Sequence, residues 1–505
     1  MNSAVMDERR HEANTKLDPK TKGALGQFMT PFKIAEFMAG LFKNRKNAVL
    51  LDAGAGIGSL TVAASKVLQI NRIEAWEVDP VMQSYLESTL AQLQVPYQIH
   101  KSDFILDAID RIQFQPAQRF THAILNPPYK KITSASLHRQ ACRRVGLETV
   151  NLYTAFLALA ILQMAPGGEI VIIIPRSFCN GPYYKPFREL MLRECTIDLL
   201  HIFESRNKAF KDDEVLQENI ILKLTRGGAQ GSVLLSFSHD ASFDGLHQRA
   251  VPFSTIVQPD DGDRFLRVPA ESTAVNATAL FSQTLKTLGL QVCTGPVVDF
   301  RLKPWWCMQP EAGAAPLLYP HHFGKAGFQY PKEHKKPNAL RRDPAVDKWL
   351  MAAGVYVLVK RFSAKEERRR VVAYLVTPEE IAAPRVGFEN HWNVFHCGKL
   401  GLDRTLAAGL TCFLNSTELD NYFRVFSGHT QVNATDLRNM KYPDLGRLIL
   451  LGQHYRRDMT QEEIDCLVGL LDKPSNLASV RIAPSPQPLP PRLLYPVPGA
   501  SESVC

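Results

Sequence analysis

Residues 48–68 constrain the fold of this chain more than any other stretch. Ala48 to Leu51 is a short apolar strand that runs directly into Asp52-Ala53-Gly54-Ala55-Gly56-Ile57-Gly58 and then into a helical stretch, Ser59 to Leu68. A strand that passes through a glycine turn into a helix opens a strand–helix–strand unit, and such units build parallel sheets with helices on both faces. Glycines at the turn let a ligand come close to the backbone. The spacing is G-x-G-x-G rather than the G-x-G-x-x-G of dinucleotide binders. Asp52, just ahead of the glycines, is a poor neighbour for a pyrophosphate and a good one for a cationic amino-acid group. That pairing points away from a nicotinamide dinucleotide and towards S-adenosylmethionine.

The same unit repeats, each time with a polar group at a strand end. Arg72 to Val78 is a second strand ending in Glu77, placed to accept from both ribose hydroxyls of a nucleoside. A helix over Val81 to Leu93 leads to a third strand, Tyr97 to His100, and then to Ser102-Asp103-Phe104. Asp103 can accept from an adenine amino group and Phe104 can pack on the ring. Either acid alone reads more readily as a helix cap or a surface carboxylate than as a ligand contact; in series at successive strand ends they read as a nucleoside pocket. Upstream, Thr30 reads as the N-cap of a helix over Phe32 to Phe42, with Pro31 at its first position.

The fourth strand, Thr121 to Leu125, ends in Asn126-Pro127-Pro128-Tyr129, followed by the basic pair Lys130-Lys131. Two prolines fix two φ angles and remove two backbone donors, and Asn126 is held extended by the proline after it. What remains is a stiff loop with free carbonyls, an amide and an aromatic ring. A flat substrate bearing an amino group suits it: Asn126 and Pro127 accept from the amino hydrogens and Tyr129 stacks on the face. The alternative is a merely rigid turn, which does not explain the tyrosine or the glycine loop upstream. A helix over Leu152 to Met164 and strands at Glu169 to Ile174, Thr196 to Phe203 and Glu218 to Leu224 complete the sheet. Phe210, in a basic loop, either stacks on the far face of the substrate or anchors its loop.

At 505 residues the chain exceeds one ordinary core. The expected division is a flexible segment over 1–24, a catalytic domain over 25–226, a connecting segment over 227–275, a second domain over 276–473 and a Pro-rich disordered tail over 474–505. The net charge of +9 is concentrated: residues 301–370 hold fifteen Lys and Arg against six Asp and Glu. A basic block on a neutral body reads as a polyanion footprint. Ser427 to Arg438 is dense in donors and acceptors for base edges and phosphates, with His429, Gln431, Asn433 and Arg438 foremost. The nine cysteines form no CxxC pair, so no metal is expected. The N-terminus lacks the apolar core of a signal peptide and no apolar run spans a membrane, which makes a reducing cytoplasm the expected compartment.

Taken as a set, Gly26 to Pro31, Asp52 to Gly58, Glu77, Ser102 to Phe104 and Asn126 to Tyr129 resemble, in that order, the motifs of gamma-group adenine-N6 DNA methyltransferases. Arg361 to Glu367, Phe388 to His391, Leu414 to Thr417 and Ser427 to Arg438 resemble the BsuBI/PstI-like modification enzymes of type II restriction–modification systems. The resemblance covers roughly residues 20–470. It implies an α/β fold, a Rossmann-like class I S-adenosylmethionine-dependent methyltransferase domain followed by a mixed α/β target-recognition domain. It implies that Thr30 and Pro31 border the methionine end of the cofactor, that Asp52, Ala53, Gly54, Gly56 and Gly58 cradle it, that Glu77 binds the ribose, and that Asp103 and Phe104 hold its adenine. Asn126, Pro127 and Tyr129 are then catalytic, with Pro128, Lys130, Lys131 and Phe210 on the substrate side. The implied partner is double-stranded DNA bearing a short palindrome such as CTGCAG, methylated by a monomer and shielded from a cognate restriction endonuclease that the enzyme need not touch. The competing readings are an RNA adenine or protein glutamine methyltransferase and a non-catalytic DNA-binding subunit. No nuclease signature accompanies the motifs.

Overall fold

The computed structural model describes residues 3–17, 29–117, 119–203, 219–259, 261–268, 281–324, 327–363, 367–426 and 431–472. Its first half is built on nine strands: β1 (Ala48–Ala53), β2 (Ile70–Trp76), β3 (Tyr97–His100), β4 (Phe120–Leu125), β5 (Met164–Pro175), β6 (Cys195–Phe203), β7 (Asn219–Arg226), β8 (Val233–Ser238) and β9 (His247–Val251). They lie in the order β3-β2-β1-β4-β5-β7-β6-β8-β9. β1 to β5 are mutually parallel, whereas β7 runs antiparallel to both β5 and β6. The strand order reverses between β1 and β4, which opens a crevice beyond their C-terminal ends, the place where open α/β sheets bind ligands. This is the class I methyltransferase architecture expected from the motifs.

Alternate residues of each strand feed opposite layers. Ile170, Ile172 and Ile174 of β5 pack into one core with α5 (Phe104–Phe114), α7 (Leu152–Gln163) and α8 (Lys185–Glu194); Val171 and Ile173 pack into the other with α2 (Phe32–Gly40), α3 (Ser59–Ser65) and α4 (Pro80–Leu90). α7 is apolar on every side and almost wholly buried, which only a helix enclosed between other elements tolerates.

The structure departs from the expected boundaries at both ends of this half. Residues 3–16, expected to be loose, form helix α1 (Ser3–Lys16), which buries Met6 and Ala13 in the core shared with α4. Residues 227–275, expected to connect, instead supply β8 and β9, and Val257, Leu266 and Val268 still belong to the first core. A Gly-rich turn at 227–231 resembles a linker, but Val233 to Phe237 puts every second side chain under the sheet.

The second half carries a four-stranded antiparallel sheet, β10 (Gln291–Thr294), β11 (Tyr356–Lys360), β12 (Ala373–Val376) and β13 (Trp392–His396), in the order β10-β13-β11-β12. Helices α9 (Arg404–Leu414), α10 (Thr417–Phe426), α11 (Ala434–Asn439) and α12 (Leu445–His454) cover it. α9 and α12 cross so closely that a Cβ at Gly409 would lie 1.7 Å from the Leu448 carbonyl oxygen, and one at Gly452 1.8 Å from that of Thr405.

The two halves are joined by hydrogen bonds. Arg176, just past β5, donates through Nη2 to the carbonyls of Arg424 (2.9 Å) and Val425 (3.2 Å) on α10. The Val268 amide donates to the Val425 carbonyl, and Asn439 Nδ2 to Asp263 Oδ2 at 2.7 Å. Among the described residues, no helix is long and apolar enough to cross a membrane.

Candidate active site

The strand ends of β1 to β4 open on a cavity with about 1090 Å³ of empty space, part of it open to solvent. Four strand–helix junctions supply most of its wall. At the first, Gly54 adopts φ +75° and the amides of Gly54 and Ala55 donate to the Trp76 carbonyl, which ties the glycine turn to the end of β2. A side chain at Gly54 would grow towards Phe156, Pro128 and the Asn126 carbonyl, so glycine keeps the gap between the turn and the Asn-Pro-Pro-Tyr loop open. Beneath the turn Asp52 is completely buried. Its Oδ2 accepts from the Thr61 hydroxyl at 2.6 Å, while Oδ1 is buried without a partner. Burial, and then the charge of Glu77, raise its pKa to about 7.

At the second junction Glu77 accepts from the Gly56 amide through Oε2 and from the Asp79 amide through Oε1, both at 2.8 Å. Desolvation dominates and raises its pKa. Asp79 in turn caps α4 through the amides of Val81 and Met82. At the third, Asp103 Oδ1 caps α5 through the amides of Ile105 and Leu106, while Oδ2 lies 2.8 Å from His138 Nε2 on helix α6 (Leu137–Arg143). Phe104 is buried against Phe156, and Trp76 stacks on His100 at 3.9 Å.

The fourth junction is the Asn-Pro-Pro-Tyr loop. Asn126 Nδ2 donates to Thr30 Oγ1 at 2.9 Å, and the Tyr129 hydroxyl donates to Asn126 Oδ1 at 2.8 Å. That hydroxyl also lies 3.2 Å from the Ile173 carbonyl. Burial pushes the Tyr129 pKa well above the usual phenol range. The Tyr129 ring meets Tyr153 edge-on, at 6.2 Å.

Thr30, Gly54, Gly56, Glu77, Asp103, Phe104, Asn126 and Pro128 therefore line one cavity. Pro31, Asp52, Ala53, Gly58, Pro127 and Tyr129 are not among its lining residues. Lys130 and Lys131 are exposed at the loop's exit. Thr30 corrects an expectation: Pro31, not Thr30, occupies the N-cap of α2, and the Thr30 side chain is spent on Asn126. Phe210 and His429 lie outside the described residues. Gln431 pairs with Phe362, Asn433 opens α11 with its backbone and side-chain nitrogens on Asp436 Oδ2, and Arg438 donates to the Val292 carbonyl. None of these three reaches the cavity.

Several cavity residues escaped the sequence reading, His138, Phe156 and Trp76 among them. His138 is a lone histidine in an unremarked helix. Phe156 is one apolar residue among many on α7. Trp76 directly precedes Glu77, and its place at a strand end was the available signal.

The chain is 49% identical to the type II methyltransferase M.BsuBI of Bacillus subtilis over 469 residues, 89% of this chain and 93% of that one. It is 41% identical to the type II methyltransferase M.PstI of Providencia stuartii over 460 residues, 87% of this chain and 91% of that one. The chain belongs to the type II methyltransferases of restriction–modification systems. The Eco57I restriction-modification methylase family matches residues 66–210 of this methyltransferase, the stretch from just past α3 through the Asn-Pro-Pro-Tyr loop and beyond β6. Among solved structures, that of the type IIG restriction endonuclease BpuSI aligns with 90% of this chain and 66% of its own, at 12% identity and a TM-score of 0.44.

The methyltransferase accordingly modifies DNA at a defined site and uses S-adenosylmethionine. The cavity suits that cofactor. Trp76, Ile105 and Phe156 offer apolar walls for a purine, and Glu77 retains lone pairs for hydroxyl donors, since a carboxylate has about four acceptor sites. The orphaned oxygen of Asp52 lies beneath the glycine turn, where an approaching cation would favour the charged carboxylate. Among the described residues no group of His, Cys, Asp and Glu is arranged to hold a metal ion.

Proposed function

We propose that this methyltransferase modifies the exocyclic N6 of an adenine turned out of the duplex. The observation that carries the reading is the Asn126 amide, which stands on the cavity wall with one end on Thr30 and the other on Tyr129. An adenine amine is a weak nucleophile because its lone pair is delocalised into the ring. Asn126 Oδ1 and the Pro127 carbonyl accept its two hydrogens, which favours a tetrahedral nitrogen and frees the lone pair. An amide oxygen has two lone pairs, so Oδ1 serves the amine while it keeps the Tyr129 hydroxyl. S-adenosylmethionine supplies a methyl group already activated by the sulfonium charge. The enzyme's share of the rate is alignment of the amine with that methyl.

On the cofactor side, Thr30 and Pro31 border the methionine end, the turn from Asp52 to Gly58 cradles it, Glu77 accepts from the ribose hydroxyls, and Asp103 with Phe104 holds the adenine. On the substrate side, Tyr129 stacks on the extruded base. Base–aromatic stacking is worth roughly 1–3 kcal/mol and offsets part of the unstacking. Lys130 and Lys131 meet phosphates. The second half reads a short palindrome, one strand at a time, as a monomer, and the mark protects that site from a cognate endonuclease.

The test is single-molecule sequencing of plasmid DNA from cells that express the wild type or Asn126→Ala. The expected result is N6-methyladenine at one short motif with the wild type alone, while Asn126→Ala still binds S-adenosylmethionine in calorimetry. N4-methylcytosine, or methylation that survives the substitution, overturns the reading.

A further inference from the structure

Thr30 and Asn126 are 96 positions apart in the chain, yet Thr30 Oγ1 accepts from Asn126 Nδ2 at 2.9 Å. Thr30 is only 5% exposed. Its hydroxyl has no part in capping α2, because Pro31 occupies the N-cap and the Phe32 amide donates instead to Asp7 Oδ1 at 3.3 Å. The contact therefore needs an explanation other than helix initiation. An asparagine amide has two ends of opposite character and a soft terminal torsion, so which way its oxygen faces depends on what holds each end. Tyr129 holds the oxygen end but divides its single proton between Asn126 Oδ1 and the Ile173 carbonyl. Thr30 holds the nitrogen end.

We propose that Thr30 is a positioning residue for methyl transfer: its hydroxyl fixes the Asn126 amide so that Oδ1 is presented to the target amine. This rests on the reading that Asn126 accepts from that amine. With valine at position 30 the shape is kept, but Nδ2 loses the hydroxyl that accepts from it, so the amide is held less firmly and Oδ1 loses its aim.

The experiment compares Thr30→Val, Thr30→Ser and Asn126→Ala in single-turnover methylation of a duplex carrying the enzyme's own site, with cofactor and DNA saturating. Cofactor affinity is measured by calorimetry, base extrusion by 2-aminopurine fluorescence and folding by thermal midpoint. The expected result is a single-turnover rate roughly 10- to 100-fold lower in Thr30→Val. With cofactor saturating, base extrusion stays near wild type, and Thr30→Ser restores the rate. An unchanged rate in Thr30→Val while Asn126→Ala is inactive sinks this inference alone. A Thr30→Val defect seen wholly in cofactor affinity makes Thr30 a cofactor contact, and loss in both Thr30 variants with a lowered midpoint makes it structural; each overturns the proposal. Full activity in Asn126→Ala removes the function reading itself.

Discussion

Two stretches of this chain look equally rich in chemistry as sequence, and the fold treats them differently. Asp52 to Gly58, Glu77, Asp103 and Asn126 come from four separate strand ends, and the sheet gathers them around one cavity. Residues 431–438 are contiguous, yet their polar side chains disperse into local duties. Asn433 opens α11, Asp436 is buried beneath it within 3.4 Å of Asn180, and Arg438 reaches a backbone carbonyl of β10. Polar groups at strand ends in a parallel sheet point into a shared crevice because the strands end together there. Polar groups in one continuous segment are first recruited by its own turns and caps. Density of donors is therefore weaker evidence for a binding surface than their recurrence at equivalent strand ends.

The glycines test that contrast most severely. Gly409→Ala drives a Cβ into the backbone of α12, and overpacking of this kind destabilises by about 3 kcal/mol or more. Urea unfolding should lose the transition of the second half, while cofactor binding in the first survives. Gly54→Ala meets no atom closer than 3.7 Å, but Gly54 needs φ +75°, a strain of roughly 1–2 kcal/mol for alanine. It should unfold only slightly earlier and lose cofactor affinity. If Gly409→Ala abolishes cofactor binding as well, the bonds from Arg176 and Val268 to α10 have made the halves one cooperative unit, and the contrast fails.

Burial raises carboxyl groups in both halves: Asp52 to about 7, with Glu77 raised beside it, and Asp436 to about 6. Both aspartates keep a proton in the folded chain that they would lose near pH 4 when unfolded, so the cofactor-free enzyme loses stability as pH rises from about 4 through these values. On the proposed reading a cationic ligand binds above Asp52 and not near Asp436, which favours the charged form of Asp52. Cofactor affinity should therefore weaken as pH falls below 7, by up to about tenfold per pH unit, and level off above it. Calorimetry between pH 5.5 and 7.5 would measure the slope. Asp52→Asn should flatten it, and Asp436→Asn should leave it intact. A slope that survives Asp52→Asn would move the charge sensing to Glu77.

The sheet and the cavity were legible because their signals are local: apolar strands, glycines where φ is positive, and polar groups at strand ends. Thr30 was legible as a site residue and misread in its contact, since a Thr-Pro before a helix obeys the capping rule whether or not the cap forms. α1 was hidden because its interior face is only Met6, Ala13 and the buried stem of Arg10, too sparse for a periodic pattern. β8 and β9 were hidden by the glycines before them. His138 and Phe156 join the cavity through packing of α6 and α7, a relation that no spacing along the chain encodes. The N-terminal motif glycine Gly26, the Phe210 loop and His429 lie outside the described residues, so those readings stand as they were made from sequence.

Asn433 gives the finest discrimination between the two stretches. As the residue that opens α11, it accounts for an N-cap, and replacing an asparagine cap with alanine costs about 1 kcal/mol. As a reader of a base, its loss would instead relax one position of the target, because a good bidentate contact is worth roughly 1–3 kcal/mol of discrimination. The hydrogen bonds to Asp436 favour the first account. Asn433→Ala should therefore lower the urea midpoint modestly and leave the methylated motif unchanged at every position in sequencing of plasmid DNA. A motif degenerate at one base pair, with stability intact, would return this segment to the DNA interface and restore donor density as a usable signal.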